Sequence, residues 1–139
     1  MGRLQDKIAV VTGGSRGIGG ATVRRFAEEG AKVAIFDVLA EDGEALAAEL
    51  SRDGGDVIFV KVDITDEKQV EAAVSRVTGK WGRLDILVNN AAITGANKFA
   101  HEVTVEEWDR VFDVNVKGTF LCTKYAVRPM MAQKSGSIV

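Results

Sequence analysis

A glycine-rich stretch is the first part of the sequence whose residue types and spacing could do chemistry. It reads Thr-Gly-Gly-Ser-Arg-Gly-Ile-Gly over 12–19, between an apolar run and a segment of helical period. Glycine at such a place lets the backbone turn sharply and brings the N–H groups of a helix N-terminus against phosphate oxygens. The stretch predicts a phosphate-binding loop, with a glycine-rich packing turn as the alternative. The loop residues expected at the ligand are Gly13, Ser15, Arg16, Gly17, Ile18 and Gly19.

An acidic residue follows the loop at the distance typical of a dinucleotide site. Asp37 comes 18 residues after Gly19, at the end of the second predicted strand, where the adenosine ribose should lie. Its carboxylate can accept hydrogen bonds from both ribose hydroxyls and would repel a 2′-phosphate. Arg16 could neutralise such a phosphate, but Val38 supplies no second cation. We therefore predict NAD rather than NADP; the alternative for Asp37 is a cap before the next helix.

Apolar runs alternate with segments of helical period along the chain, which is the pattern of strand–helix–strand units. Thr65 is the expected N-cap of the third helix, Thr104 and Glu107 match a capping box, and Pro129 is expected to kink or end the last helix. Right-handed crossovers then give a doubly wound parallel α/β sheet of the Rossmann type, expected to occupy 1–139 as one domain. The predicted strands are 7–12, 33–36, 57–62, 84–88 and 137–139, and the predicted helices are 17–29, 41–52, 66–79 and a long helix from 104.

Composition excludes several classes of function. The 139 residues carry 18 Lys+Arg and 20 Asp+Glu, a net charge of −2, so we expect neither nucleic acid nor a membrane surface as a partner. The apolar run 8–11 is too short for a signal peptide or a membrane span, and a cytoplasmic location is expected. Cys122 and His101 are the only residues of their types, so we predict no disulfide framework and no metal site.

Four elements, in this order, resemble the N-terminal part of the classical short-chain dehydrogenase/reductase family. They are the glycine loop at 12–19, Asp63 after the third predicted strand, Asn-Asn-Ala at 89–91 and Asn-Val-Lys-Gly at 115–118. The resemblance covers the whole chain. It implies an NAD-dependent oxidoreductase that interconverts a secondary alcohol and a ketone by hydride transfer, and it implies a homo-oligomer.

The resemblance also implies roles for single residues. Asp63 would hydrogen-bond the adenine amino group, and Ile64 would lie against the ring through its backbone. Asn90 and Ala91 would line the cofactor, while Asn89 would tie the end of its strand to its neighbours.

Asn115 is the one catalytic residue that the resemblance places in this chain. It would distort its helix and hold a water on its backbone carbonyl; from the residues alone, a mid-helix Asn with its side chain in solvent is the alternative. The family's Ser and Tyr-x-x-x-Lys have no counterpart here, because Tyr125 is followed four residues later by Pro129.

Two interpretations follow for the chain as a whole. In the first, the chain is a cofactor-binding fragment, incomplete at its C-terminus, that binds NAD without activity and self-associates through the apolar face of 104–131. In the second, the chain is a complete, non-catalytic Rossmann-like module for nucleotide sensing or protein association.

Overall fold

One sheet of five parallel strands lies at the centre of the structure, a computed structural model that describes residues 2–139. The strand order is β3-β2-β1-β4-β5, so the chain builds outward from β1 and then crosses to its other side. All four strand pairs are parallel. This arrangement confirms the predicted doubly wound sheet. The strands are β1 (Ile8–Thr12), β2 (Lys32–Asp37), β3 (Val57–Lys61), β4 (Ile86–Val88) and β5 (Ser137–Ile138).

Helices cover both faces of the sheet, as the alternating sequence pattern predicts. The long helix expected from Thr104 is divided into two α-helices by a π-helical segment, Asp113–Gly118, and a 3-10 turn, Ala100–Glu102, precedes it. Pro129 does not end the last helix, because the packing of the buried Tyr125, Ala126 and Met130 holds the helix together around it. The helices are α1 (Gly17–Glu28), α2 (Ala40–Arg52), α3 (Glu67–Trp81), α4 (Val105–Phe112) and α5 (Thr119–Gln133).

The apolar core has two parts, one on each face of the sheet. Neighbouring residues of β1 alternate between them: Val10 packs with α3 and α5, and Val11 packs with α1 and α2. Both side chains are fully buried. A strand buried on both faces has a continuous apolar sequence rather than an alternating one, which explains the apolar run at 8–11.

Helix caps confirm one sequence prediction and correct another. Thr104 caps α4 by accepting a hydrogen bond from Glu107 N (3.1 Å), and Glu107 Oε2 accepts one from Thr104 N (2.9 Å). Thr65 as the N-cap of α3 is wrong: the cap is Asp66, whose Oδ1 accepts from Gln69 N (3.1 Å). The Thr65 hydroxyl instead donates to Asp63.

A buried carboxylate joins the amino ends of two central strands. Asp85 Oδ2 accepts a hydrogen bond from Ile8 N (3.0 Å), and Arg83 Nε donates to both carboxylate oxygens (3.0 Å each). Asp85 is only 5% exposed. Burial by itself would raise the pKa of Asp85, but the hydrogen bonds from Arg83 and Ile8 outweigh it and lower the pKa below its usual value.

Replacing this carboxylate should weaken the fold in a pH-dependent way. We expect Asp85→Asn to lower the free energy of unfolding by about 1.5–3 kcal/mol at pH 7, the usual range for hydrogen bonds to a charged group. Because the folded-state pKa is lowered, the stabilisation is present above the unfolded pKa of about 3.9 and is lost as the pH falls through the folded pKa. Urea unfolding at pH 7 and in acid measures both effects.

The exposed Asp53, at the end of α2, provides the control. Asp53→Asn should change the free energy of unfolding by less than about 0.5 kcal/mol at either pH. An Asp85→Asn variant that matches this control at pH 7 would contradict the structural role given to Asp85.

Candidate functional site

A cleft of about 1040 Å³ lies along the carboxyl ends of β1 to β4. This is the edge at which open parallel α/β sheets bind ligands. The structure brings most of the residues singled out from the sequence together in its walls. Those in the lining are Gly13, Arg16, Asp37, Asp63, Ile64, Asn90 and Ala91.

Three glycines of the loop are required for three different reasons. Gly13 has φ +61°, and a Cβ there would lie 2.9 Å from Ala91 Cα. A Cβ on Gly19 would lie 2.1 Å from the carbonyl oxygen of Gly13. Gly17 has φ +59° but open space around it, so only its conformation needs glycine. Gly13 and Gly19 therefore allow close packing, and Gly17 allows the turn that exposes the start of α1.

The start of α1 has no side chain that satisfies its free N–H groups. Arg16 occupies the N-cap position in an extended conformation and makes no capping hydrogen bond. The first N–H groups of a helix lack partners within the helix and carry partial positive charge. The side chain of Ile18, in the first turn, is 81% exposed. This helix end can accept an anion through its backbone.

Thr12 connects the ends of β1 and β4, a role that the sequence analysis did not assign to it. Its Oγ1 accepts hydrogen bonds from Asn90 N (3.0 Å) and Ala91 N (2.9 Å) and donates to Val88 O (3.4 Å). The Asn90 side-chain amide in turn donates to Thr12 O (3.0 Å) and Gly13 O (3.1 Å). The only signal in the sequence was a threonine at the end of an apolar strand.

Asp37 is at the end of β2, where it contacts both the connection to α2 and the glycine loop. Its Oδ1 accepts hydrogen bonds from Val38 N (2.8 Å) and Leu39 N (3.2 Å). Its Oδ2 accepts one from Ser15 N (3.1 Å). Ser15 is 6% exposed, and its hydroxyl donates to Leu39 O (3.4 Å). The loop is thus attached to the β2–α2 connection by backbone and side chain.

Asp63 and Ile64 form the part of the cleft beyond β3. Asp63 Oδ1 accepts from the backbone N–H (2.9 Å) and the hydroxyl (2.8 Å) of Thr65. Ile64 is 7% exposed. A Cβ on Gly118 would lie 2.5 Å from Ile64 Cδ1, so this glycine lets the π-helical segment approach the cleft floor.

Asn115 lies in the π-helical segment, so the helix is distorted where the resemblance implies distortion. Its side chain is not in solvent. Asn115 Nδ2 donates to Ile93 O (2.9 Å), and Asn115 Oδ1 accepts from Ile93 N (2.9 Å). Its backbone carbonyl accepts from the Thr119 hydroxyl (3.0 Å). No sequence pattern indicated the contact with Ile93, which lies in a loop.

One wall of the cleft comes from α4 and the start of the π-helical segment. This wall was not predicted from the sequence. The polar residues of this wall are three or four positions apart, so they share one helix face. That spacing was the available signal, but it also fits an ordinary solvent-exposed face. The residues are Glu106, Asp109, Arg110 and Asp113.

Five of the predicted site residues are not part of the cleft lining: Ser15, Gly17, Ile18, Gly19 and Asn115. Three further residues considered from the sequence, Asn89, Cys122 and His101, also lie outside it. Asn89 N donates to Val139 O (2.8 Å) and its side chain to the Thr123 hydroxyl (3.3 Å), so Asn89 ties β4 to its neighbours as expected. Cys122 is a buried core residue, and burial raises the pKa of its thiol to about 12. His101 is exposed in the 3-10 turn.

Within residues 2–139, no three His, Cys, Asp or Glu side chains are grouped as a metal ion would require. None of the helices in the same residues is both long enough and apolar enough to cross a bilayer.

The chain belongs to the short chain dehydrogenase family, whose model matches residues 7–139. The uncharacterized oxidoreductase YxbG of Bacillus subtilis (strain 168) is 40% identical over 139 residues, 100% of this chain and 50% of the relative. Cis-4-hydroxycyclohexanecarboxylate dehydrogenase of Sinomonas cyclohexanicum is 43% identical over 134 residues, 96% of this chain and 53% of the relative. Cyclopentanol dehydrogenase of Comamonas sp. (strain NCIMB 9872) is 40% identical over 139 residues, 100% of this chain and 55% of the relative.

A solved structure agrees with the fold. The crystal structure of gox2181 matches with a TM-score of 0.95 and 37% identity, covering 98% of this chain and 53% of that chain. The chain thus spans about half the length of the relatives that it matches. Its family is one of oxidoreductases that generally use nicotinamide cofactors.

Two adjacent glycines of α1 should respond differently to the same substitution. Gly19→Ala places a Cβ 2.1 Å from Gly13 O, whereas a Cβ on Gly20 finds its nearest neighbour, Ser15 O, at 3.5 Å. We expect Gly19→Ala to lower the free energy of unfolding by about 1–3 kcal/mol through overpacking. Gly20→Ala should be neutral or stabilising by up to about 1 kcal/mol, because alanine favours a helix.

Urea unfolding of both variants beside the unsubstituted chain makes the comparison. Equal stability of the two variants would show that the approach of α1 to the end of β1 is looser than the structure has it.

Proposed function

We propose that the chain is the cofactor-binding part of an NAD-dependent oxidoreductase that interconverts a secondary alcohol and a ketone. One observation carries the proposal: the glycine loop, Asp37, Asp63 and Asn90 line a single cleft at the carboxyl edge of the sheet. Pockets for small molecules and cofactors are usually about 300–1,000 Å³, and this cleft is at the upper end of that range.

The residues present fit the phosphate part of a dinucleotide. A Cβ on Gly17 would meet no atom within 4 Å, so the space in front of this part of the loop is open. The start of α1 behind it has no capping side chain. Free N–H groups and open space at one helix N-terminus are what a pyrophosphate requires.

The charge of the cleft supports NAD over NADP. Among the residues that the structure describes, Arg16 and Arg110 are the only cationic ones in its lining, against five carboxylates. A 2′-phosphate adds about two negative charges near Asp37 and would be repelled. The five carboxylates are Asp37, Asp63, Glu106, Asp109 and Asp113.

The proposed chemistry divides between cofactor and chain. A bound nicotinamide accepts or gives the hydride. The chain's own residues bind and orient: Asn90 and Ala91 border the cleft beyond β4, and Asn115 holds the loop at Ile93 through two hydrogen bonds. We propose Asn115 as the member of the catalytic set present in these residues, with its carbonyl as a water site. We expect the 139-residue chain to bind cofactor and not to oxidise alcohols.

The relatives support a secondary alcohol as the substrate class. Cyclopentanol and cis-4-hydroxycyclohexanecarboxylate, named for two of the relatives, each carry a hydroxyl on a ring carbon. Loss of a hydride from such a carbon and of the proton from its hydroxyl gives a ketone. A cytoplasmic location stays a prediction.

An exposed apolar stripe on the last helices supports a homo-oligomer. Trp108 and Phe112 stack with ring centroids 4.5 Å apart, yet they are 57% and 45% exposed. A contiguous exposed apolar surface of this kind marks an interface. The apolar stripe consists of Val105, Trp108, Phe112, Val116 and Phe120.

Calorimetric titration with NADH and NADPH tests the cofactor proposal directly. We expect NADH to bind at least about tenfold more tightly, an advantage of about 1.4 kcal/mol, because the carboxylates repel the 2′-phosphate. Gly20→Ala, which fills no space in the cleft, should leave both dissociation constants unchanged. No binding of either dinucleotide would refute the proposed function, and preference for NADPH would refute the choice of NAD.

Sedimentation at several concentrations tests the oligomer. We expect the chain to self-associate, and Trp108→Glu to raise the dissociation constant at least about tenfold, because aromatic residues dominate the energy of interfaces. Ala72→Glu adds the same charge to an exposed position of α3 outside the apolar stripe, and should have no such effect. A monomer at all concentrations would contradict the proposal.

A further inference from the structure

The Asp37 carboxylate makes a hydrogen bond that its proposed contact with a ribose does not explain. Its Oδ2 accepts from the backbone N–H of Ser15, 22 residues earlier in the chain, at 3.1 Å. Ser15 lies in the middle of the glycine loop, between the left-handed residues Gly13 and Gly17. A side chain at the end of β2 therefore restrains the loop between β1 and α1.

The geometry points to Asp37 as a positioning residue for the phosphate loop as well as the acceptor for the ribose. An ionised carboxylate offers about four acceptor positions. Three are already used by the N–H groups of Ser15, Val38 and Leu39, so the carboxylate is shared between the chain and any ligand. The part of this inference that concerns cofactor binding rests on the proposed function.

The two oxygens of the carboxylate accept hydrogen bonds from different segments of the chain. Oδ1 accepts from its own connection to α2, at Val38 and Leu39, and Oδ2 accepts from the loop at Ser15. An amide has only one oxygen, so asparagine at position 37 would present an N–H group to one of these donors. Asn is otherwise the same size, and the substitution leaves no cavity.

The packing around Ser15 shows that the loop has little freedom to find another acceptor. Ser15 is 6% exposed. A Cβ on Gly43 of α2 would lie 2.7 Å from the Ser15 hydroxyl oxygen and 2.2 Å from the Phe59 ring. A buried N–H group without an acceptor carries a desolvation cost, so loss of the carboxylate would destabilise this conformation of the loop.

This sharing has a consequence for cofactor selection. A small neutral residue at position 37 would remove the repulsion of a 2′-phosphate, but it would also release the loop that holds the pyrophosphate. We expect Asp37→Ser to bind NADH more weakly than the unsubstituted chain. Its affinity for NADPH should stay below the affinity of the unsubstituted chain for NADH.

Hydrogen exchange of the free chain, followed by NMR at the Ser15 amide, tests the restraint without a ligand. Asp37→Asn should speed exchange of this amide by about 10- to 100-fold. This factor corresponds to the usual stabilisation by a hydrogen bond to a charged acceptor. Asp53→Asn makes the same substitution at the exposed end of α2, so the Ser15 amide should exchange in this variant as it does in the unsubstituted chain. Unchanged exchange in Asp37→Asn would overturn the inference, and Asp37→Ser serves if Asp37→Asn does not fold.

Binding of ADP and of 2′,3′-dideoxy-ADP separates the two roles. If Asp37 acts only on the ribose hydroxyls, Asp37→Asn and the unsubstituted chain bind the dideoxy compound equally. We expect Asp37→Asn to bind it about tenfold more weakly at 0.15 M salt, where charge effects are screened. Loss of a negative charge favours a polyanion, so a weaker affinity cannot be an effect of charge alone.

The two measurements distinguish a failure of the proposed function from a failure of the positioning role of Asp37. If the unsubstituted chain binds neither ADP nor NADH, the proposed function is wrong, and the exchange rates still decide whether Asp37 restrains the loop. If the unsubstituted chain binds both, and Asp37→Asn binds the dideoxy compound with full affinity, the positioning role is wrong and the proposed function stands.

Discussion

The connection between the carboxyl ends of β1 and β4 is the constraint on which the cleft depends. A hydroxyl can accept two hydrogen bonds and donate one. The Thr12 hydroxyl accepts hydrogen bonds from Asn90 N and Ala91 N and donates one to Val88 O. Thr12 is only 1% exposed. Because the strands themselves pair over only three residues here, this hydroxyl fixes where the chain leaves β4. Gly13 and Gly19 then allow α1 to start directly against that point.

The helix after β4 has its polar side toward the cleft and its apolar side toward solvent, the reverse of the usual pattern. Asp109 and Asp113 face the cleft, while Trp108 and Phe112 are exposed. A water-filled or ligand-filled cleft needs a polar wall, and the proposed self-association would cover the exposed apolar side. The charged wall of the cleft and the apolar stripe therefore lie on opposite sides of the same helical stretch. A substitution that shifts this stretch would affect both.

Sequence patterns could predict those parts of the site that follow from topology. Asp37, Asp63 and Asn90 each follow a strand, and the carboxyl ends of parallel strands meet at one edge of the sheet. The polar wall from α4 could not be predicted in this way, because its helical spacing fits either a solvated face or a cleft face. The N-cap of α3 could not be chosen from residue type, because Thr65 and Asp66 are adjacent and both are good N-cap residues. The helix begins one residue later than predicted, so Asp66 is the cap.

The contact of Asn115 with Ile93 was equally hidden, since 22 residues separate them and one lies in a loop. Asparagine is a poor residue for a helix interior because its side chain competes for backbone groups. In this structure the Asn115 side chain bonds the backbone of another segment instead of its own helix. The side chain bonds both backbone groups of Ile93, and the helix around it widens into a π-helical turn, a feature frequent at functional sites. A leucine or alanine at position 115 would favour a regular α-helix and leave the backbone N–H and carbonyl of Ile93 without these partners. The distortion and the attachment of the loop therefore follow from one side chain, which explains why a residue unfavourable for the helix stands at this position.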